Sequence, residues 1–203
     1  MKTKILKSKE VRHLDLRNLG AVDKDNEMRV TGHAVVYDSP TVLYEYDGIE
    51  YKEVISRDAF KDCDISKCCL KYNHSDHIPI LARVKGGSLK IESDNIGLKF
   101  EANLFDTSVA RDVYALVKNG GLDKCSFAFT VAEQEYDKLT HTRTIKKIDK
   151  LFDVSIVDIP AYDDTDVSAR DFFTAEAEKS KSEDSETLEK RKKLLLKIKL
   201  LNK

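Results

Sequence analysis

The stretch Cys125-Ser126-Phe127-Ala128-Phe129-Thr130-Val131 decides how the rest of the chain is read. Successive side chains of a β-strand point to opposite faces. In that register Phe127, Phe129 and Val131 share one face, and Ser126, Ala128 and Thr130 share the other. The first face is large and apolar, as a core requires. The second is small and polar, which leaves room above the Ser126 hydroxyl.

The same reading extends outward. Upstream, residues 106–119 carry Val109, Ala110, Val113, Leu116 and Val117 on one helical stripe. Asp106 or Thr107 is placed to cap that helix, and Gly120 follows where a left-handed C-terminal cap belongs. Residues 97–104 alternate, with Leu98, Phe100, Ala102 and Leu104 on one face. Residues 80–84 and 88–92 flank Gly86-Gly87 and read as a hairpin. Residues 68–74, 51–55, 28–37 and, weakly, 10–16 read as further strands, the last at an edge. Gly32 suggests a bulge or a close backbone approach, and Ser56 a cap on a single helical turn over residues 56–60.

Downstream, residues 140–148 read as a polar outer strand. Residues 151–159 are nearly continuous in apolar and β-branched residues and read as a central one, ended by Pro160. Many short strands with one good helix give a β-rich α+β domain, a barrel or a sandwich.

Charge divides the chain. Lys and Arg number 35 and Asp and Glu 36. A net charge of −1 supplies no global field for nucleic acid or an anionic membrane. The last 28 residues hold 15 of the charges, with 9 basic against 6 acidic. We therefore expect a body, residues 1–175, and a charged linker and helical tail, residues 176–203. An amphipathic helix is expected over residues 184–201, with Leu194, Ile198 and Leu201 on its stripe. No run of apolar residues reaches membrane-spanning length, and the first ten residues do not read as a secretory signal.

Two constellations could carry chemistry. Cys63, Cys68, Cys69, His74 and His77 fall within 15 residues and offer thiolate and imidazole ligands for zinc. No CxxC pair is present, and ordinary buried thiols are the simpler reading. The other constellation is dispersed. His74 ends an apolar run at a polar corner, and Ser126 sits on the small face of its strand. Asp153 is a carboxylate inside an otherwise apolar strand, where a charge needs a partner or water.

Seven segments in order then resemble one family. They are Thr31-Gly32-His33-Ala34-Val35-Val36-Tyr37, Glu53-Val54-Ile55-Ser56-Arg57-Asp58-Ala59-Phe60, Tyr72-Asn73-His74, Ile96-Gly97-Leu98-Lys99-Phe100, Val117-Lys118-Asn119-Gly120, Cys125-Ser126-Phe127-Ala128-Phe129, and the run from Asp153 to Tyr162. Together they resemble the tailed-phage (caudovirus) prohead maturation serine proteases, relatives in fold of the herpesvirus assemblin proteases. The resemblance covers roughly residues 28–170. It departs at Ala128, where a glycine is common, and at Ser56-Arg57.

The resemblance implies a small closed or partly closed β-barrel with one main helix packed on it, plus the C-terminal amphipathic helix. It implies a serine endopeptidase that processes phage scaffold and major capsid protein, and itself, during procapsid maturation. Ser126 is then the nucleophile, His74 the general base and Asp153 the third member. Asp158 is the alternative third member, and His77 or His141 would be candidates if a second histidine stood there. The oxyanion loop would fall near residues 161–170, with Arg170 in it.

No cofactor or metal is implied for catalysis, and no nucleic-acid or membrane partner. Self-association and removal of the tail by self-cleavage are compatible with the family's role. The expected location is the assembling procapsid in the bacterial host cytoplasm. The competing expectations are a catalytically silent capsid-assembly or scaffold protein with the same fold, and a zinc-binding module over residues 63–77.

Overall fold

A computed structural model describes residues 8–14, 19–24, 27–46, 48–158 and 172–176. The chain forms two compact units, residues 1–166 and 167–203. In the second unit the described residues, 172–176, are helical. The expected helix over residues 184–201 lies outside the described residues, as does the segment 161–170.

The first unit is built almost wholly of strands. The elements are β1 (Glu10–Leu14), β2 (Gly20–Lys24), β3 (Glu27–Val36), β4 (Thr41–Tyr46), β5 (Ile49–Ile55), β6 (Cys69–Tyr72), β7 (Ala82–Arg83), β8 (Leu89–Ser93), β9 (Gly97–Asn103), α1 (Ser108–Lys118), β10 (Lys124–Asp137) and β11 (Thr142–Val157). A seven-stranded sheet runs β1-β10-β11-β5-β4, with β6 paired to β11 and β7 to β6. A four-stranded sheet runs β2-β3-β9-β8. Both feed one apolar core: Leu70, Phe127, Phe129, Ile148 and Leu151 from the larger sheet, Val30, Leu98 and Phe100 from the smaller.

The expected barrel is not closed. Among the described residues the two sheets remain separate ladders, so the body is mostly β with open sheets. The chain passes from one sheet to the other at the segment expected to be a hairpin. β7 pairs with β6 in the larger sheet and β8 with β9 in the smaller. Between them Val84–Gly86 form a 3-10 turn, and Gly87 takes φ 74°. That left-handed residue turns the chain from one sheet into the other, so Gly86-Gly87 is a crossover rather than a hairpin.

The strands expected at residues 140–148 and 151–159 are one strand. β11 is sixteen residues long and lies between β10 and β5, not at an edge. Register shifts against β10 absorb its irregular pattern, including one that skips Phe152 between Asp153 and Leu151. Ile145 and Ile148 are fully buried there. β2 and β4 were not expected from the sequence, and residues 56–60 form successive turns rather than a helical turn.

The helix follows the expected caps. The Thr107 side chain accepts a hydrogen bond from the Ala110 N–H, and Gly120 has φ 72°. Ala110, Val113 and Val117 are buried, while Leu116 remains exposed. The close backbone approach falls at Gly97, where a Cβ would meet the Val35 carbonyl oxygen at 1.7 Å.

Candidate active site

Strand β11 is the spine of the site. It pairs antiparallel with β10 on one side, setting Ser126 opposite Ser155 and Ala128 opposite Asp153. On the other side it pairs parallel with β6, setting Cys69 against Asp153 and Tyr72 against Ile156. Asp153 and Ser155 are two residues apart and therefore share a face. Cross-strand partners also share a face, so Ser126 joins them.

His74 arrives from the end of β6. Asn73 and His74 have φ 50° and 51°, both left-handed, and this reverses the chain immediately after the strand. Asparagine tolerates that conformation better than most residues. His74 bears the strain as well, a cost that persists where the surroundings hold the residue in place. The holding contacts are visible. The His74 N–H donates to Ser155 Oγ at 3.3 Å, and the Asn73 N–H donates to the Ile156 carbonyl at 3.0 Å.

The ring then joins both sides of the sheet. His74 Nε2 lies 2.6 Å from Ser126 Oγ, and Nδ1 lies 2.5 Å from Asp153 Oδ1. Ser155 Oγ lies 3.1 Å from the same Nδ1 and donates to Asp153 Oδ1 at 3.0 Å. Lys9 Nζ is 3.5 Å from the other carboxylate oxygen. Ser126 and Ser155 are fully buried and Asp153 is 1% exposed; the His74 side chain keeps 17%. Burial raises the Asp153 carboxyl, but the His74 hydrogen bond and charge, with Lys9 behind them, outweigh it. Its pKa is held below the ordinary value.

Three of the sequence candidates therefore converge. The alternative third member, Asp158, has its carboxylate on the Tyr72 hydroxyl at 3.1 Å. His77 donates its backbone N–H to Ser75 Oγ, and His141 sits beside the Tyr136 hydroxyl and the Tyr51 ring. Ser155 was not singled out from the sequence. Its signal was there, two positions beyond Asp153 on the same face of a strand.

The cysteine cluster does not form a ligand set. Among the described residues no group of three or more His, Cys, Asp and Glu side chains is placed to hold a metal. Burial pushes the Cys63 thiol up to about 12 and raises Cys68 and Cys69 as well, which keeps them as neutral thiols.

A nucleophile-type hydroxyl, an imidazole within reach and a buried carboxylate on its far nitrogen are the parts of acyl transfer. Residues 13–180 match the family model of the caudovirus prohead serine proteases. The chain belongs to that family. It is a protease of phage procapsid maturation. The family's match begins within β1 and spans the whole Ser126, His74 and Asp153 constellation. The chain is 26% identical over 167 residues to the prohead protease of Escherichia phage T5, covering 79% of this chain and 71% of that protein. A solved structure of the bacteriophage T4 capsid assembly protease aligns with 75% of this chain and 99% of its own, at 11% identity and a TM-score of 0.44.

No helix among the described residues is long and apolar enough to cross a membrane.

Proposed function

We propose that this prohead protease is a serine endopeptidase working through Ser126, His74 and Asp153, and that it cleaves phage scaffold and capsid protein. The observation that carries the proposal is the continuous chain from Ser126 Oγ through both ring nitrogens of His74 to Asp153, with links of 2.6 and 2.5 Å.

The chemistry follows from that order. His74 Nε2 takes the hydroxyl proton as Ser126 Oγ attacks the scissile carbonyl carbon. The imidazolium then gives that proton to the leaving amine as the C–N bond breaks, which leaves an acyl-enzyme. Water, deprotonated by the same nitrogen, releases the acid and restores the serine. Asp153 faces the ring nitrogen that stays protonated throughout, so it selects the tautomer with Nε2 free and steadies the imidazolium. Ser155 hydrogen-bonds the same carboxylate oxygen and fixes its direction.

Capsid and scaffold substrates, and action inside the assembling procapsid, are consistent with the family membership. The tail, residues 176–203, is suited to bringing the enzyme into the shell and to removal by self-cleavage. Co-expression with the phage's scaffold and capsid proteins tests the proposal. Ser126→Ala and His74→Ala are expected to fold normally and to leave the partners and the tail uncut. Cleavage by folded Ser126→Ala would refute the nucleophile, and near wild-type cleavage by His74→Ala would refute the base.

A further inference from the structure

Ser126 is assembled for attack, yet no substrate can reach it as it stands. Its hydroxyl donates to the Arg12 carbonyl oxygen at 2.7 Å, and the residue has no exposed surface. A hydroxyl carries one proton. When that proton is given to Arg12 it is not given to His74, and Ser126 Oγ can then only accept from Nε2. The carbonyl oxygen also points at the nucleophile, whereas attack requires the carbon to be presented and the oxygen to face away. The bound strand is held, not cut.

The strand responsible is β1. It is the edge strand of the larger sheet and pairs antiparallel with β10, with Arg12 opposite Phe127 and His13 opposite Ser126. Adding a strand to a sheet edge is a general way of binding an extended peptide. The residue before β1 reaches the site as well, because Lys9 is the cation on Asp153. One short segment therefore engages both ends of the Ser126–His74–Asp153 chain.

Its side chains are seated in a buried recognition site. Glu10 and Arg12 are two residues apart and so lie on one face of β1. Arg12 meets Glu53 through two bonds, Nε to Oε1 at 2.7 Å and a terminal nitrogen to Oε2 at 2.9 Å. Glu10 meets Arg143 through two bonds at 2.7 and 2.8 Å. All four residues are less than a tenth exposed. Such fork-to-fork pairs fix geometry as well as charge.

Burial alone would raise Glu10 and weaken the charge on Arg12, yet their partners outweigh it, so both ions are held. The network also divides cleanly. Arg12 bonds Glu10 within β1, and Arg143 bonds Glu53 at 2.9 Å within the body. Departure of β1 therefore leaves a neutral pair behind rather than an isolated buried charge. The Arg12 side chain borders a cleft lined also by Val36, Thr41, Glu53, Ile55 and Phe127.

We infer that β1 is a resident stand-in for substrate: it occupies the edge of β10 on which an extended peptide binds, and Glu53 and Arg143 select a peptide carrying an acid two residues before an arginine. This rests on Ser126 being the nucleophile. Activity then requires β1 to leave the edge, and substrate replaces it with the same two ion pairs.

Two measurements on the full chain test this. The first does not depend on catalysis. A Ser126→Cys variant is alkylated with iodoacetamide, alone and combined with Val11→Pro, which removes a β1 N–H and fixes a backbone angle without touching the four charges. Alkylation at position 126 is expected to accelerate at least about tenfold with Val11→Pro, as the uncovered state gains population. The buried Cys68 and Cys125 should not change. An unchanged rate at position 126 would overturn the proposal, and so would equal acceleration at Cys125, which would make β1 part of the core.

The second uses Val11→Pro with Ser126 intact and a serine-reactive phosphonate. A peptide Ser-Lys-Glu-Val-Arg-His-Leu should slow labelling of Ser126. The same peptide with Gln in place of Glu and Arg should not. Equal slowing by both peptides would overturn selection by Glu53 and Arg143. Faster alkylation at position 126 with phosphonate on a different serine would remove the nucleophile assignment while supporting β1 as a cover.

Discussion

Replacing Asp153 by Asn separates orientation of the imidazole from mere packing. The change keeps the side-chain shape and removes the charge 2.5 Å from His74 Nδ1. Two effects follow. The first is electrostatic. Imidazolium and carboxylate, with charge centres about 4 Å apart, attract by about 4 kcal/mol at an effective dielectric near 20. That attraction exists only once His74 has taken the proton, so it lowers the barrier rather than the ground state. Losing about 4 kcal/mol slows the reaction by roughly 10³.

The second effect is the tautomer. Asp153 Oδ2 faces Lys9, so an amide at this position is best placed with its oxygen toward the lysine and its NH₂ toward His74. The NH₂ then donates to Nδ1, the ring proton moves to Nε2, and the base facing Ser126 is lost. Asp153→Ala should lose less than Asp153→Asn. Ser155 Oγ, 3.1 Å from Nδ1, is then freed to accept from the ring. The assay is kcat/KM on a capsid-derived peptide, with circular dichroism and thermal unfolding to show that both variants fold. A folded Asp153→Asn enzyme within about fivefold of wild type would refute this account of the third member.

Further predictions concern acid stability and packing. Asp153 titrates below its ordinary value in the fold, so its stabilising contribution is present above the unfolded carboxylate pKa of about 3.9 and is lost as pH falls through the lower folded value. The thermal-stability gap between wild type and Asp153→Asn should thus narrow as pH falls below about 4; a gap that widens there would reverse the sign assigned here. Gly97→Ala drives a methyl into the Val35 carbonyl, 1.7 Å from the ideal Cβ, and should cost roughly 3 kcal/mol as the β3–β9 ladder shifts. Urea unfolding measures it, and a loss below about 0.5 kcal/mol would show that the ladder yields freely.

The parts of the fold that were legible in the sequence are those governed by local pattern. Phe127 and Phe129 alternate with small residues, and their strand is β10. The Gly120 cap and the stripe of Ala110, Val113 and Val117 mark α1. Asp153 stood out because a charge inside an apolar strand needs a partner, and it has one. The misread elements depend on distant residues. Residues 140–148 looked like an outer strand because Arg143 is polar, but its guanidinium is buried against Glu10, Glu53 and Gln134. Nothing near residue 143 announces two carboxylates from β1 and β5.

Gly86-Gly87 offered a hairpin by local turn chemistry, and only the pairing of β7 with β6 makes it a crossover. Lys146, Lys147, Asp149 and Lys150 broke the apolar pattern of β11, and bulges in the ladder with β10 keep the strand continuous past them. The site shows the same division. Ser126 and Asp153 could be proposed one strand at a time, and Ser155 lay open to the same reading two positions beyond Asp153, while Lys9 and the Arg12 carbonyl became visible only through register. The covering of Ser126 by β1 is a cross-strand fact with no local signature.

The central claim is that Ser126, activated by His74, is the nucleophile of this protease. Incubation of the full chain with a serine-reactive phosphonate, followed by peptide mass mapping, tests it most directly. The account predicts a single adduct on Ser126, forming slowly in the wild-type protein as β1 leaves the edge and faster with Val11→Pro, and its loss in folded His74→Ala. An adduct on any other serine, or undiminished labelling of Ser126 without His74, would contradict it.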